Sequence, residues 1–260
     1  MRCDKEVLSR LVLMIAGALF LSASASAGVT IAGTRVIFPA AEREKSIRTN
    51  NKGSSPVLVQ VWVDDGSKNN DINSMLVPFT VTPPVYRIDP GKGQSVRLIY
   101  NGMELPGDRE SVYWFNLLEI PTVNDEDKNK DRLELAFRTR IKIFYRPPAL
   151  TGNSTDYISA LRWQMEASKK AVKIENPTPY YFSFESVTAK DGKRTYPLVP
   201  QMLAPYTSLS LATEGSQGLP ASIRSIEFNV LNDYGSTVTE TVNDQQNPSR
   251  GLKQSAGDKP

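Results

Sequence analysis

The segment Leu133–Arg146 alternates between two kinds of side chain, and this pattern constrains the fold more than any other feature of the chain. Its odd-numbered positions are mostly apolar, whereas its even-numbered positions carry most of the charge. Alternation of this length predicts a β-strand and not a helix. Pro147 and Pro148 end the strand, because proline cannot donate to a sheet. A strand this long is either a core hairpin partner or an exposed edge, which natural proteins normally protect.

The first 27 residues have the pattern of a secretory signal peptide. Three basic residues come first: Arg2, Lys5 and Arg10. An apolar run, Leu11–Leu21, follows them, and small residues at 25–27 supply a cleavage site. We therefore expect residues 1–27 to be removed and the mature chain to begin at Gly28 in the periplasm. The alternative is a retained anchor, which the short apolar run disfavours, since a membrane span needs about 20 apolar residues.

The composition excludes several classes of function. Cys3 is the only cysteine and lies in the predicted signal peptide, so the mature chain should fold without a disulfide. Histidine is absent, which removes the commonest general base and metal ligand. The 31 basic and 28 acidic residues nearly cancel, which argues against a nucleic-acid partner. We expect a protein that is not an enzyme and has no cofactor, no metal and no membrane insertion.

Short strands separated by turns predict an all-β chain with two domains. Apolar or alternating segments recur every 8–12 residues or so, as in a β-sandwich. We expect the first domain at 28–148, the second at 149–244 and a disordered polar tail at 245–260. Glu42–Arg48 is interpreted as a charged segment rather than a strand. The predicted strands, besides the long one, are Val29–Ile31, Thr34–Phe38, Val57–Val63, Phe79–Thr82, Tyr86–Ile88, Ser95–Tyr100, Val112–Ile120, Leu161–Met165, Ala171–Glu175, Tyr180–Val187, Leu209–Leu211 and Ser225–Leu231.

The segment Leu105–Pro121, LPGDRESVYWFNLLEIP, resembles the signature of the periplasmic chaperones that assemble pili and fimbriae with an outer-membrane usher. The signal is specific because many positions must match at once. Family-like pieces flank it in family order: GTRVIFPA from Gly33, TPPVYRIDPG from Thr82, IKIFYRP from Ile141, ENPTPYY from Glu175 and NDYG from Asn232. Together they span nearly all of the chain beyond the signal peptide.

The resemblance implies two immunoglobulin-like β-sandwich domains set at an angle, with a cleft between them. It also implies an ATP-independent chaperone that binds, stabilises and caps fimbrial or pilus subunits. Such a chaperone lends an edge strand of its N-terminal domain to a subunit that lacks its last strand, and delivers the subunit to the usher. The alternative is an immunoglobulin-like structural subunit of a surface fibre. A pilin of that kind should have a single incomplete domain and usually a cysteine pair, and this chain has neither.

The matched motifs imply two groups of subunit-binding residues. Arg35 and Lys142 correspond to the family's pair of basic cleft residues, which hold the subunit's C-terminal carboxylate by charge-assisted hydrogen bonds. Leu133, Leu135 and Phe137 correspond to its alternating apolar donor residues, for which a sandwich core is the alternative. The three apolar residues have odd numbers and Lys142 has an even number, so in a regular strand they would point to opposite faces. We therefore expect a twist or a bulge between the two groups.

The resemblance implies a third group at the domain junction. Glu110, Arg146 and Asp233 correspond to an interdomain salt-bridge triad that would fix the angle between the domains. Scattered surface charge is the alternative for these three residues.

We predict that the mature protein, recovered from the periplasm, begins at Gly28 and contains no thiol. N-terminal sequencing and a thiol assay check both points. A mature chain that keeps Cys3 would refute the signal-peptide interpretation.

Overall fold

The computed structural model describes residues 28–67, 76–121, 135–166, 171–215, 218–220 and 222–243, together with the backbone of Lys253–Gln254. The predicted signal peptide, Leu133 and most of the polar tail lie outside these ranges. The described chain forms two β-sandwiches, the first up to Pro147 and the second after it. Among the residues that the structure describes, no helix has the length and apolar character that a membrane span needs.

Within the described ranges, the first sandwich consists of nine strands in two sheets. The strands are β1 (Val29–Ile31), β2 (Arg35–Pro39), β3 (Glu44–Asn51), β4 (Val57–Asp64), β5 (Phe79–Thr82), β6 (Val85–Ile88), β7 (Gly93–Tyr100), β8 (Ser111–Pro121) and β9 (Phe137–Arg146). One sheet has the order β1-β3-β7-β5, and the other has the order β2-β9-β8-β4-β6. Alternate residues of each strand point into the space between the sheets. Val59, Leu98 and Phe115 are fully buried there.

The second sandwich repeats this arrangement with shorter strands. They are β10 (Arg162–Glu166), β11 (Ala171–Glu175), β12 (Phe182–Lys190), β13 (Thr195–Leu198), β14 (Met202–Leu203), β15 (Ser208–Ala212), β16 (Ser225–Leu231), β17 (Thr237–Asn243) and β18 (Lys253–Gln254). The sheets have the orders β15-β11-β10-β18 and β13-β12-β16-β17, with β14 beside β12. Trp163 and Phe228 pack in the core with ring centroids 4.9 Å apart.

Strand β9 changes its surroundings along its length. It pairs antiparallel with β8 from Phe137 to Tyr145, and the register shows no bulge. It pairs in parallel with β2 only from Lys142 to Arg146. Within the described ranges, its edge from Phe137 to Ile141 therefore has no strand beside it. The half of the strand that pairs with both β2 and β8 is a core strand, and the half from Phe137 to Ile141 is an exposed edge.

Several sequence-based expectations differ from the structure. The long strand begins at Phe137 rather than Leu133, and no bulge separates Phe137 from Lys142. The segment interpreted as charged and non-strand is β3, because its outward-facing positions carry the charge while Ile47 is buried. Strands β13, β14 and β17 and the 3₁₀ helix Ser154–Ala160 are not among the predicted elements.

The polar tail differs from the prediction at two residues. Lys253–Gln254 pair in parallel with β10, opposite Gln164 and Met165. The pairing is possible because β10 lies at the edge of the β15-β11-β10 sheet, where backbone N–H and C=O groups are unpaired.

The two halves of β9 should respond differently to truncation of a large apolar side chain. Phe137 is 62% exposed, so Phe137→Ala should hardly change the melting temperature of the free protein. Ile143 is fully buried, and Ile143→Ala should cost about 2–5 kcal/mol of the free energy of unfolding. Denaturant unfolding of the two variants checks this, and equal losses would contradict the exposed-edge interpretation.

Candidate functional site at the junction of the sandwiches

Arg35 and Lys142 lie side by side because they face each other in the parallel register of β2 and β9. The Arg35 Nη1 donates to the Leu231 carbonyl oxygen at 3.0 Å. The Lys142 Nζ lies 3.4 Å from the Ser183 Oγ. Both side chains therefore reach from the first sandwich to the second. The structure thus brings the two predicted cations together at the junction.

The two cations are partly buried. Burial lowers the pKa of Arg35, while the charges of Asp233 and Glu110 act in the opposite direction. Burial also lowers the pKa of Lys142, and the neighbouring charge of Arg35 lowers it further. In the part of the chain that the structure describes, the buried Arg35 Nε has no hydrogen-bond partner. A carboxylate bound between the two side chains would relieve the repulsion between the like charges.

Arg146, at the end of β9, connects the two sandwiches through its guanidinium group, in which every N–H donates a hydrogen bond. Its Nε and Nη2 donate to one oxygen of Glu110 at 2.9 and 2.8 Å. Its Nη1 and Nη2 donate to the two oxygens of Asp233 at 2.8 and 3.1 Å. The fifth N–H, on Nη1, bonds the Gly152 carbonyl at 3.1 Å. All five donors of the guanidinium are used, which fixes its orientation.

The local chain geometry brings Asp233 within reach of Arg146. Asp233 lies in the turn after β16, where the Asn232 side chain accepts hydrogen bonds from the amides of Tyr234 and Ser236. Gly235 adopts a φ of +83° in this turn, and a Cβ there would clash with the Thr34 Oγ1. Glycine therefore lets the turn close against the first sandwich.

This ion-pair network is largely buried. The side chains of Glu110, Arg146 and Asp233 are 2%, 12% and 20% exposed. Burial alone would lower the pKa of Arg146, but Asp233 and Glu110 raise it above its ordinary value. Burial raises the pKa of Glu110, against the lowering by the Tyr181 amide and by Arg146. Breaking one member of such a network costs more than breaking a surface pair, because the others are left buried and unpaired.

Further contacts across the junction were missed by the sequence analysis. The Glu110 amide donates to the Pro179 carbonyl at 2.9 Å, and the Tyr181 amide donates to the Glu110 carboxylate at 2.8 Å. The Arg109 guanidinium lies 5.1 Å from the centroid of the Tyr206 ring. Pro179 and Tyr181, which make the first two contacts, lie in ENPTPYY, one of the family-like segments of the sequence. No local signal marked Tyr206.

The predicted donor residues are exposed where the structure describes them. Leu135 is 53% exposed and Phe137 is 62% exposed. Phe137 lies on the same side of β9 as the buried Ile141 and Ile143, at the end of the strand where the core stops. Leu133 lies outside the described residues. The cation pair thus marks one end of the free edge, and the exposed apolar side chains mark the other.

Comparison with known proteins assigns a family to both sandwiches. Residues 28–151 match the N-terminal domain model described as "Pili and flagellar-assembly chaperone, PapD N-terminal domain", and residues 156–242 match "Pili assembly chaperone PapD, C-terminal domain". The probable fimbrial chaperone YadV of Escherichia coli K12 is 43% identical over 222 residues, which cover 84% of this chain and 90% of that protein. The chaperone protein FimB/FhaD of Bordetella pertussis is 36% identical over 219 residues, covering 83% and 87%.

Solved structures agree with the sequence matches. The crystal structure of the YadV chaperone has a TM-score of 0.72 at 40% identity and covers 84% of this chain and 100% of that one. The SafB chaperone of Salmonella enterica, solved with the SafA pilin, has a TM-score of 0.70 at 28% identity, covering 85% and 98%. The chain belongs to the PapD-like family of pili assembly chaperones and has its fold of two immunoglobulin-like domains. The alternative of a fibre subunit is not favoured.

The Arg146 network should fix the orientation of the two domains. Asp233→Ala removes two of its five hydrogen bonds and should widen the distribution of interdomain angles while both domains stay folded. Small-angle scattering and far-UV circular dichroism measure the two effects. Glu227→Ala is the matched control, since it removes the exposed Lys190–Glu227 pair within the second domain. An unchanged scattering curve for Asp233→Ala would contradict this role.

Proposed function

We propose that the protein is a periplasmic chaperone that holds a pilus subunit along the free edge of β9 and delivers it to an outer-membrane usher, without ATP. The observation that carries this proposal is the half-paired strand β9. Its free edge presents Leu135 and Phe137 at one end and leads to the cation pair at the other. The predicted signal peptide supports the periplasmic location. The similar SafB chaperone, solved in complex with the SafA pilin, supports a pilus subunit as the partner. We propose binding rather than catalysis as the activity.

The proposed contacts imply a direction for the bound subunit strand. Its C-terminal carboxylate would bind Arg35 and Lys142, and its preceding residues would lie beside Ile141 and then back toward Phe137. A strand that ends at Lys142 and occupies this edge runs parallel to β9. The free stretch of five residues spans about 17 Å, enough for a short β-augmentation ladder.

The apolar side chains would supply much of the affinity. Full burial of Leu135 or Phe137 in a subunit is worth about 1.5–3 kcal/mol each, before ordering costs are subtracted. The carboxylate contact would then fix the register, because only a chain terminus brings a carboxylate to that position in a backbone ladder. In this proposal the apolar contacts supply affinity, and the cation pair fixes the register of the bound strand.

Removal of either cation should abolish subunit capture. Arg35→Ala or Lys142→Ala would leave a partly desolvated carboxylate poorly compensated, at a cost of about 2–5 kcal/mol in the stability of the complex. Co-expression with a fimbrial subunit from the same gene cluster, followed by protease digestion of the subunit, measures the loss. Arg97→Ala is the matched control, because it breaks only the exposed Arg97–Glu44 pair. Normal subunit protection by both cleft variants would overturn the proposal.

Subunit affinity should fall at alkaline pH because of Lys142. Burial lowers its pKa in the free protein, and a bound carboxylate favours the charged form and raises it again. Binding therefore takes up protons, and affinity falls as the pH rises from neutral toward the ordinary lysine value of 10.5. Lys142→Arg, which stays charged, should flatten the profile of the dissociation constant. Identical profiles for the two proteins would exclude Lys142 as the titrating group.

A further inference from the structure

The outer face of the β4–β8–β9 sheet, away from the sandwich core, contains a buried carboxylate. Asp64 is the last residue of β4 and is 3% exposed, although the outer face of a sandwich sheet normally carries solvated side chains. It faces Trp114 of β8, which in turn faces Lys142 of β9. An aspartate so deeply buried needs full compensation of its charge.

Four hydrogen bonds saturate this carboxylate. Its Oδ1 accepts from the Gly66 amide at 2.9 Å and from the Arg140 Nη2. Its Oδ2 accepts from the Asn116 Nδ2 at 2.8 Å and from the Arg138 Nη2 at 3.1 Å. Arg138 also donates to the Asn116 Oδ1 from Nε and Nη2, at 3.1 and 2.7 Å. One carboxylate thus connects β4, β8 and both outward-facing residues at the free end of β9.

The two arginines also stack on tryptophans. The Arg138 guanidinium lies 5.0 Å from the ring centroid of Trp62, and that of Arg140 lies 4.7 Å from Trp114. Arginine suits this position because its planar group can bond a carboxylate and stack on an aromatic face at once. Asp64, Asn116, Arg138, Arg140 and the two tryptophans are called the outer-face clamp below.

The clamp acts on the part of β9 that has the least other support. Residues 137–140 are all exposed, and within the described ranges they have a strand on one side only. Their inward-facing side chains, Phe137 and Thr139, alternate with the clamped Arg138 and Arg140. The outward side of this edge is therefore held, while its inward side and its backbone edge stay free.

We propose that Asp64 is a positioning residue that keeps the free edge of β9 extended and ready for a subunit strand. This inference rests on the proposed function, because it assigns the clamp a purpose in subunit capture. When the edge is already extended, no binding free energy is lost to ordering it, so the subunit is captured faster and more tightly. Asp64 acts through Arg138 and Arg140 and does not itself touch the subunit.

Amide hydrogen exchange on the free protein tests the positioning step without any subunit. Asp64→Asn keeps the size of the side chain but removes the charge that orients both arginines. Exchange of those amides at residues 137–141 that bond β8 should then accelerate about tenfold or more, since hydrogen bonds to charged groups are the strong ones. Exchange at Val59, Val61 and Ile143 should stay unchanged. Glu44→Gln is the matched control, because it removes an exposed ion pair on the other sheet of the same domain.

A second variant covers the case in which Asp64→Asn fails to fold. Arg138→Met keeps an unbranched stem over Trp62 and leaves three of the four hydrogen bonds on Asp64. It should accelerate exchange at residues 137–141 in the same direction by a smaller factor. Unchanged exchange in this variant, or in a folded Asp64→Asn protein, overturns the proposal, as does acceleration spread over the whole domain.

Subunit capture separates this inference from the proposed function. The same variants should slow the association of a fimbrial subunit while the dissociation of the formed complex changes less. Faster exchange with a wild-type association rate would overturn the positioning role and leave the chaperone function intact. Failure of the wild-type protein to capture any fimbrial subunit would instead refute the proposed function, whatever the exchange data show.

Discussion

Strand β9 has a neighbour on both sides from Lys142 to Tyr145 but only β8 beside it from Phe137 to Ile141, within the residues described. A β-strand with an open edge and exposed apolar side chains normally invites aggregation. Here the open edge is short, is flanked by Arg138 and Arg140, and ends at two cations. These features fit the proposed partner, which is a strand with apolar side chains and a terminal carboxylate.

The continuous register of β9 lets one strand serve several purposes. Its inward side changes from core packing at Ile143 to exposed side chains at Phe137 without a bulge. Its outward side carries the clamped arginines, then Lys142, then Arg146 at the domain junction. A shift of one residue would exchange the two sides and destroy every one of these contacts. The buried Asp64 and Glu110 each oppose such a shift, because it would remove the hydrogen bonds that they accept from the arginines of β9.

The sequence predicted most strands of the first domain because their inward positions are apolar at every second residue. It missed β3, where the buried inward positions include Thr49 and Asn51 beside Ile47. These polar groups are satisfied by backbone carbonyls of Gln94 and Ile88, which no local pattern reveals. The cleft cations and the triad could be assigned because each lies in a specific motif. The clamp could not, since Asp64 meets Arg138 and Arg140 only through the pairing of three strands distant in sequence.

The central claim is that a subunit strand pairs with the open edge of β9. Amide hydrogen exchange on the free protein and on its purified complex with a fimbrial subunit tests it most directly. The account predicts strong new protection for those amides of residues 137–141 that point to the open edge, and little change at residues 143–146, where β2 already pairs with β9. A stable complex in which residues 137–141 exchange as fast as in the free protein would contradict the account.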